Sequence, residues 1–171
     1  MIQVPDLLTH VLVGWVLGIL LAFRIDWIRG PQLTAIMVGA ASPDLNRVDL
    51  LLPAELVEAT IGITFSWSAL HYVGGNIIVL AILALLVTPR WRLRVFALLL
   101  LGAASHHALD LLLLRASGYA YPVLWPITDY HPPAGMLFRS SDRLPAAIAI
   151  LAACAVYFAH KRWAASTLST A

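Results

Sequence analysis

The chain has 171 residues, 61% of them hydrophobic and 12% charged, with a formal net charge of +2. A soluble domain carries about 25% charged residues, so this composition excludes an ordinary water-soluble core and predicts an all-α polytopic membrane bundle with the lipid bilayer as its partner. The pI of about 9.0 comes from scattered arginines; without a basic run or basic helix face, no nucleic-acid partner is expected.

The N-terminal Met1-Ile-Gln-Val-Pro-Asp6 lacks a positive leader and reads as the start of the first span rather than as a signal peptide. Leu7 to Phe23 is apolar apart from Thr9 and His10, long enough to cross or nearly cross roughly 30 Å of hydrocarbon. Arg24 to Gly30 closes it. Pro31 to Pro43 is a short second apolar segment, expected as a tilted or partial span. Residues 44–70 form a first long connection, with a short amphipathic helix predicted near 54–60. Trp67 and Tyr72 bracket His71 as interface aromatics. The third span is expected over Tyr72–Val87 and the fourth over Val95–Leu114, joined by the basic turn Arg90-Trp91-Arg92-Leu93-Arg94. Residues 115–143 carry Pro122, Pro126, Pro132 and Pro133, which argue against a continuous helix there. Leu144–Phe158 is the fifth span, ended by His160-Lys161-Arg162-Trp163. Residues 1–163 then read as a single integral-membrane domain, with 164–171 as a frayed tail.

Lys and Arg near the span ends set the orientation. With five spans, Arg24 and Arg29, then Arg90, Arg92 and Arg94, then Lys161 and Arg162 all fall on one side, the cytoplasm. The N-terminus and both long loops fall outside. If the second segment does not cross, the orientation of everything after it reverses relative to the first span.

On this topology five potential ligands reach one depth at the outer face. His10 lies about one turn inside span one, Asp44 just past span two, and His71 at the start of span three. Asp110 and His106 lie about one and two turns inside the end of span four. Gly14 and Gly18 follow His10 in steps of four, Gly75 follows His71, and Gly102 precedes His106. Such rows of small residues mark helix–helix contact in membranes, so the ligands share the packing stripe. Ionisable groups there are costly and read as functional.

The single Cys154 excludes an intramolecular disulfide and a cysteine-rich zinc motif. Imidazole and carboxylate suit zinc, with manganese or iron also tolerated. Asp44, His71, His106 and Asp110 would satisfy one ion, and His10 with a bridging Asp110 could start a second. Asp44 and Asp110 are also the candidate proton acceptors. His107 points about 100° away from His106 and reads as a neighbour contact. His131, in Asp129-Tyr130-His131-Pro132-Pro133, is a further candidate ligand on the outer loop.

Thr9-His10, Pro43-Asp44, His71 and His106-x-x-x-Asp110, in that order, together with Tyr121-Pro-Val-Leu-Trp125-Pro126, resemble the YdjM-type family. The resemblance implies a LexA-binding, inner-membrane-associated metal-dependent hydrolase. That family is in turn similar to zinc-dependent phospholipase C and P1-type nucleases, which implies an ester or phosphoester substrate, lipid included. The chain departs from the pattern at Ser66-Trp67-Ser68, where the family carries His-Arg-Gly; an arginine there would suit a phosphate. The alternative is a non-catalytic metal-binding or partner-binding membrane protein. A conducting role fits less well, because the inner halves of the spans are almost wholly apolar.

Overall fold

A computed structural model describes residues 4–169, with side chains over 7–166. Residues 1–3 of the expected first span and residues 170–171 of the expected tail lie outside the described residues. The described chain is all-helical, with no β-strand. Its six α-helices are α1 (Val4–Ala22), α2 (Gly30–Ala41), α3 (Ala54–Ile61), α4 (Val73–Leu85), α5 (Arg92–Leu111) and α6 (Leu144–Ser169).

Each helix starts and stops for a local reason. Pro31 sits in the first turn of α2, where its missing N–H costs nothing, and the Gln32 side chain accepts the Arg29 N–H at 3.2 Å. Pro43 turns the chain out of α2 into a 3-10 helix over Ser42–Leu50, which presents Asp44 in its first turn. Gly62 ends α3 with φ of 72°, a left-handed conformation that glycine adopts without strain. The segment 112–143 contains no helix, as its prolines predict. It caps two helix ends: Val73 N–H donates to the Val123 carbonyl and Gly74 N–H to Trp125, while Gly135 N–H donates to the Leu111 carbonyl at 2.7 Å. The orphan donors at the start of α4 and an orphan acceptor at the end of α5 are thereby satisfied.

The long helices pack in the order α6, α1, α2, α5, α4. Leu80 and Ala84 of α4 bury against Leu99 and Ala103 of α5. The α2–α5 pair is closest. A Cβ on Gly102 would strike the Ile36 carbonyl oxygen, and one on Gly39 would strike that of Leu99. Small residues therefore permit near backbone contact, and Ile36 and Ala40 are completely buried beside it. Trp15 of α1 meets Tyr157 of α6, and Phe23, just past the end of α1, meets His160, so these two helices start at the same end.

The helix of the expected fifth span, α6, continues past Phe158 through His160-Lys161-Arg162-Trp163 to Ser169, because none of these residues breaks a helix. Of the described helices, only Leu144–Ser166 is long and apolar enough to cross a membrane on length and composition alone; Leu7–Ala22 and Val73–Leu85 are apolar but shorter. At 12 and 13 residues, α2 and α4 are about 18–20 Å long. The outward faces are nonetheless apolar, with Leu20, Ile78, Ile82, Leu93, Leu151 and Phe158 all exposed.

Candidate metal centre

The start of α1, the end of α2, the start of α4 and the end of α5 come together at one end of the bundle, and five polar residues meet there. Asp110 is the hub. Its Oδ1 lies 3.4 Å from His10 Nε2, and its Oδ2 lies 2.8 Å from His71 Nε2 and 3.6 Å from His106 Nε2. The His10 and His106 rings stack with centroids 3.7 Å apart. Two overlapping ligand triads result: His10, His106 and Asp110, and Asp44, His71 and His106. The residue common to both is His106, while the two Asp110 oxygens face different histidines, as a bridging carboxylate would.

The backbone orients two of the imidazoles. His106 Nδ1–H donates to the Ala40 carbonyl at 2.8 Å, and His71 Nδ1–H donates to the Pro43 carbonyl at 3.1 Å. Only an N–H can satisfy a carbonyl, so in the neutral ring each Nε2 carries a lone pair. Those lone pairs face the Asp110 carboxylate, acceptor against acceptor. A divalent ion held by these groups would turn the repulsion into attraction, and an imidazole anchored to a carbonyl through one nitrogen offers the other to a metal. His106 Nε2 and Asp44 Oδ2 are both buried without a hydrogen-bond partner among the described residues. Ligand atoms around a tetrahedral zinc stand about 3.3–3.5 Å apart, close to the separations around Asp110. The donor set therefore fits a divalent ion.

Asp44 is held from the other side. Arg47 Nε donates to its Oδ1 at 3.1 Å, leaving Oδ2 for the cluster. Beneath it, Asn76 Nδ2 donates to Ser42 Oγ at 3.0 Å, and Ser42 donates to the Gly39 carbonyl at 2.8 Å. This buried pair ties α4 to the end of α2 just where the 3-10 helix begins. His107 faces away as its 100° offset requires, 2.8 Å from the Tyr121 hydroxyl. Burial pushes the Tyr121 phenol above its ordinary pKa, and the nearby Asp110 charge adds to this, so the phenol keeps its proton and donates to His107 Nδ1.

Five of the six candidate ligands are thus brought together, and His131 is not. It belongs to neither triad; its Nδ1 donates to the Ala120 carbonyl at 2.8 Å, and it lines a separate, open cavity with Tyr119 and Tyr121. Of the residues that support the site, Ser42, Arg47 and Arg115 have no motif that marks them, whereas Tyr121 opens the Tyr121–Pro126 segment and Asn76 is a lone amide inside an apolar run.

The model of one family, described as YdjM inner membrane protein, matches residues 6–171. No curated protein and no solved structure matches the chain, so the wider likeness to phospholipase C and P1-type nucleases has no support from these comparisons.

Proposed function

The chain belongs to the YdjM inner membrane protein family, and from that premise we propose that it is a membrane-embedded, metal-dependent hydrolase acting on an ester or phosphoester. The observation that carries the reading is the convergence of His10, His71 and His106 on Asp110, with His71 and His106 anchored through Nδ1 to backbone carbonyls and their Nε2 atoms turned towards it. His10, Asp44, His71, His106 and Asp110 would hold one or two divalent ions, zinc being the best match to this donor set. When bound, such an ion supplies a Lewis acid and lowers the pKa of its water towards about 7.

The residues divide the remaining work. The Ala40 and Pro43 carbonyls hold the His106 and His71 rings, and Asp110, at the centre of three histidines, would be committed to the ion. Asp44 keeps Oδ2 unpaired and lines a cavity that opens beside the cluster, so it is the better-positioned proton acceptor. Tyr121 fixes His107 behind the ligands.

As a single integral-membrane domain, α1, α2, α4, α5 and α6 would lie within the bilayer, the short α2 and α4 meeting it by local thinning. Their exposed leucines and isoleucines suit lipid. Arg94 lies over the rings of Trp27 and Trp91, 5.6 and 5.1 Å from the centroids, at the end remote from the cluster; with Arg24, Arg90 and Lys161 this makes the cytoplasmic face. The metal cluster would then lie at the extracytoplasmic face of the inner membrane, open to substrate from the lipid phase.

The test is metal content of the full chain purified in detergent. One or two equivalents of zinc, manganese or iron are expected. D110N and H106Q should lose them, and H107Q should retain them. Hydrolysis of a chromogenic phosphodiester or carboxyl ester should disappear with chelator and return with metal. A chain without divalent metal sinks the reading, and one that holds metal yet hydrolyses neither ester is a metal-binding membrane protein instead.

A further inference from the structure

The cluster opens on one side into a cavity of about 340 Å³. Asp44, His71 and Asp110 line it together with Arg47, Arg115 and Tyr121. Asp44 offsets Arg47 and Asp110 faces the histidines, so Arg115 together with a bound divalent ion would leave the cavity net positive, which a neutral carboxyl ester does not need. Arg47 is engaged with Asp44 through Nε. Arg115 differs: among the described residues it has no carboxylate partner, its Nε is buried without a hydrogen bond, and its Cζ lies 5.3 Å from the ring centroid of Tyr121. A half-buried guanidinium held over an aromatic ring, with its Nε unpaired at the cavity wall, is poised to donate to an anion.

We propose that the group bound in this cavity is a phosphoester, and that Arg115 is the residue that selects it by donating from its planar fork to the non-bridging oxygens. The inference rests on the metal-dependent hydrolase reading and narrows its substrate class. Arg fits here because two parallel N–H groups match two phosphoryl oxygens, whereas a carboxyl ester offers neither the charge nor the second oxygen. Arg47 is a positioning residue that holds Asp44 at the rim. A second, more open cavity of about 870 Å³ shares Arg115 and Tyr121 and is walled by Ala116, Tyr119 and Ala120. Its largely apolar wall, continuous with the arginine, suits the organic part of the ester.

The experiment uses the full chain in detergent and reads binding of inorganic phosphate alongside metal content. Arg115→Gln should weaken phosphate at least tenfold with metal content unchanged, and Arg115→Lys, which keeps the charge but not the fork, should fall between. Unchanged phosphate affinity in R115Q overturns the proposal. Should R115Q not fold, the wild-type chain decides: phosphate should slow phenylglyoxal modification of Arg115 but not of the exposed Arg143, and equal rates overturn the proposal. Metal content separates the two readings, since a chain without metal that still protects Arg115 refutes the hydrolase and keeps the anion site. Displacement of phosphate by glycerol phosphate points to a soluble ester, and displacement by phosphatidate micelles points to a lipid. Either supports the site, and displacement by neither overturns it.

Discussion

Gly102→Ala tests whether the close α2–α5 contact builds the site. The added methyl would meet the Ile36 carbonyl oxygen and sit 2.6 Å from Ala40 N. An ordinary carbon contact needs about 3.5 Å, so the two backbones must part by at least roughly 0.9 Å, and the closer Ile36 oxygen demands more. His106 sits one turn further along α5 and hangs on the Ala40 carbonyl through a 2.8 Å bond. The same displacement stretches that bond to about 3.7 Å, beyond a hydrogen bond. Overpacking costs about 1–3 kcal/mol, and a buried carbonyl left unpaired about 1–3 more, so a loss of about 2–6 kcal/mol is expected. Denaturant unfolding in detergent would read it, and metal content measured on the folded fraction should fall with it. Gly30→Ala is the control, since nothing lies within 4 Å of its added methyl; it should be neutral or mildly stabilising. If G102A unfolds like the wild type and keeps its metal, the argument that small residues seat His106 is wrong.

Tyr121→Phe probes alkaline stability. The folded phenol has its pKa raised by burial, so its contribution is intact below the unfolded value of about 10 and is lost as pH climbs beyond it. The wild type should therefore lose stability more steeply than Y121F as pH rises above about 10, read in unfolding midpoints. The orientation is tested with a cysteine at residue 131, after replacing Cys154 with Ala. A membrane-impermeant thiol reagent should label it from outside intact spheroplasts, and labelling only after lysis would reverse the topology while leaving the cluster untouched.

The helices were legible because apolar runs here are punctuated by residues with one local meaning. Pro31 opens α2, Gly62 closes α3 and Pro89 precedes α5. What an apolar run does not reveal is how much of it stays helical. The second segment ends within two residues of Pro43, as expected, but the chain goes on as a 3-10 helix because a proline is welcome in the first turn of a new helix. The basic cluster after Phe158 does not end α6, since Lys and Arg are good helix formers; charge marks a membrane boundary, not a helix boundary.

At the site, depth could be read from the sequence, since five ligands at one end follow from counting turns inward from basic loops. Second-shell partners could not, because the Ala40 and Pro43 carbonyls that orient His106 and His71 are backbone atoms with no residue signature. The arginines were hidden for a different reason. Arg115 follows a leucine run and looks like a terminator, and Arg47 looks like a loop charge balanced by Asp44. Motif reading sought the phosphate-binding arginine just before His71 and found Ser66-Trp67-Ser68 there instead. A guanidinium needs only to reach the anion, however, and the turn after α5 delivers Arg115 to the same cavity as His71. On the phosphoester reading, what the fold preserves is a positive charge at a point in space rather than a residue at a place in the chain. Arg115→Gln should therefore cost phosphate binding far more than any substitution at Ser68.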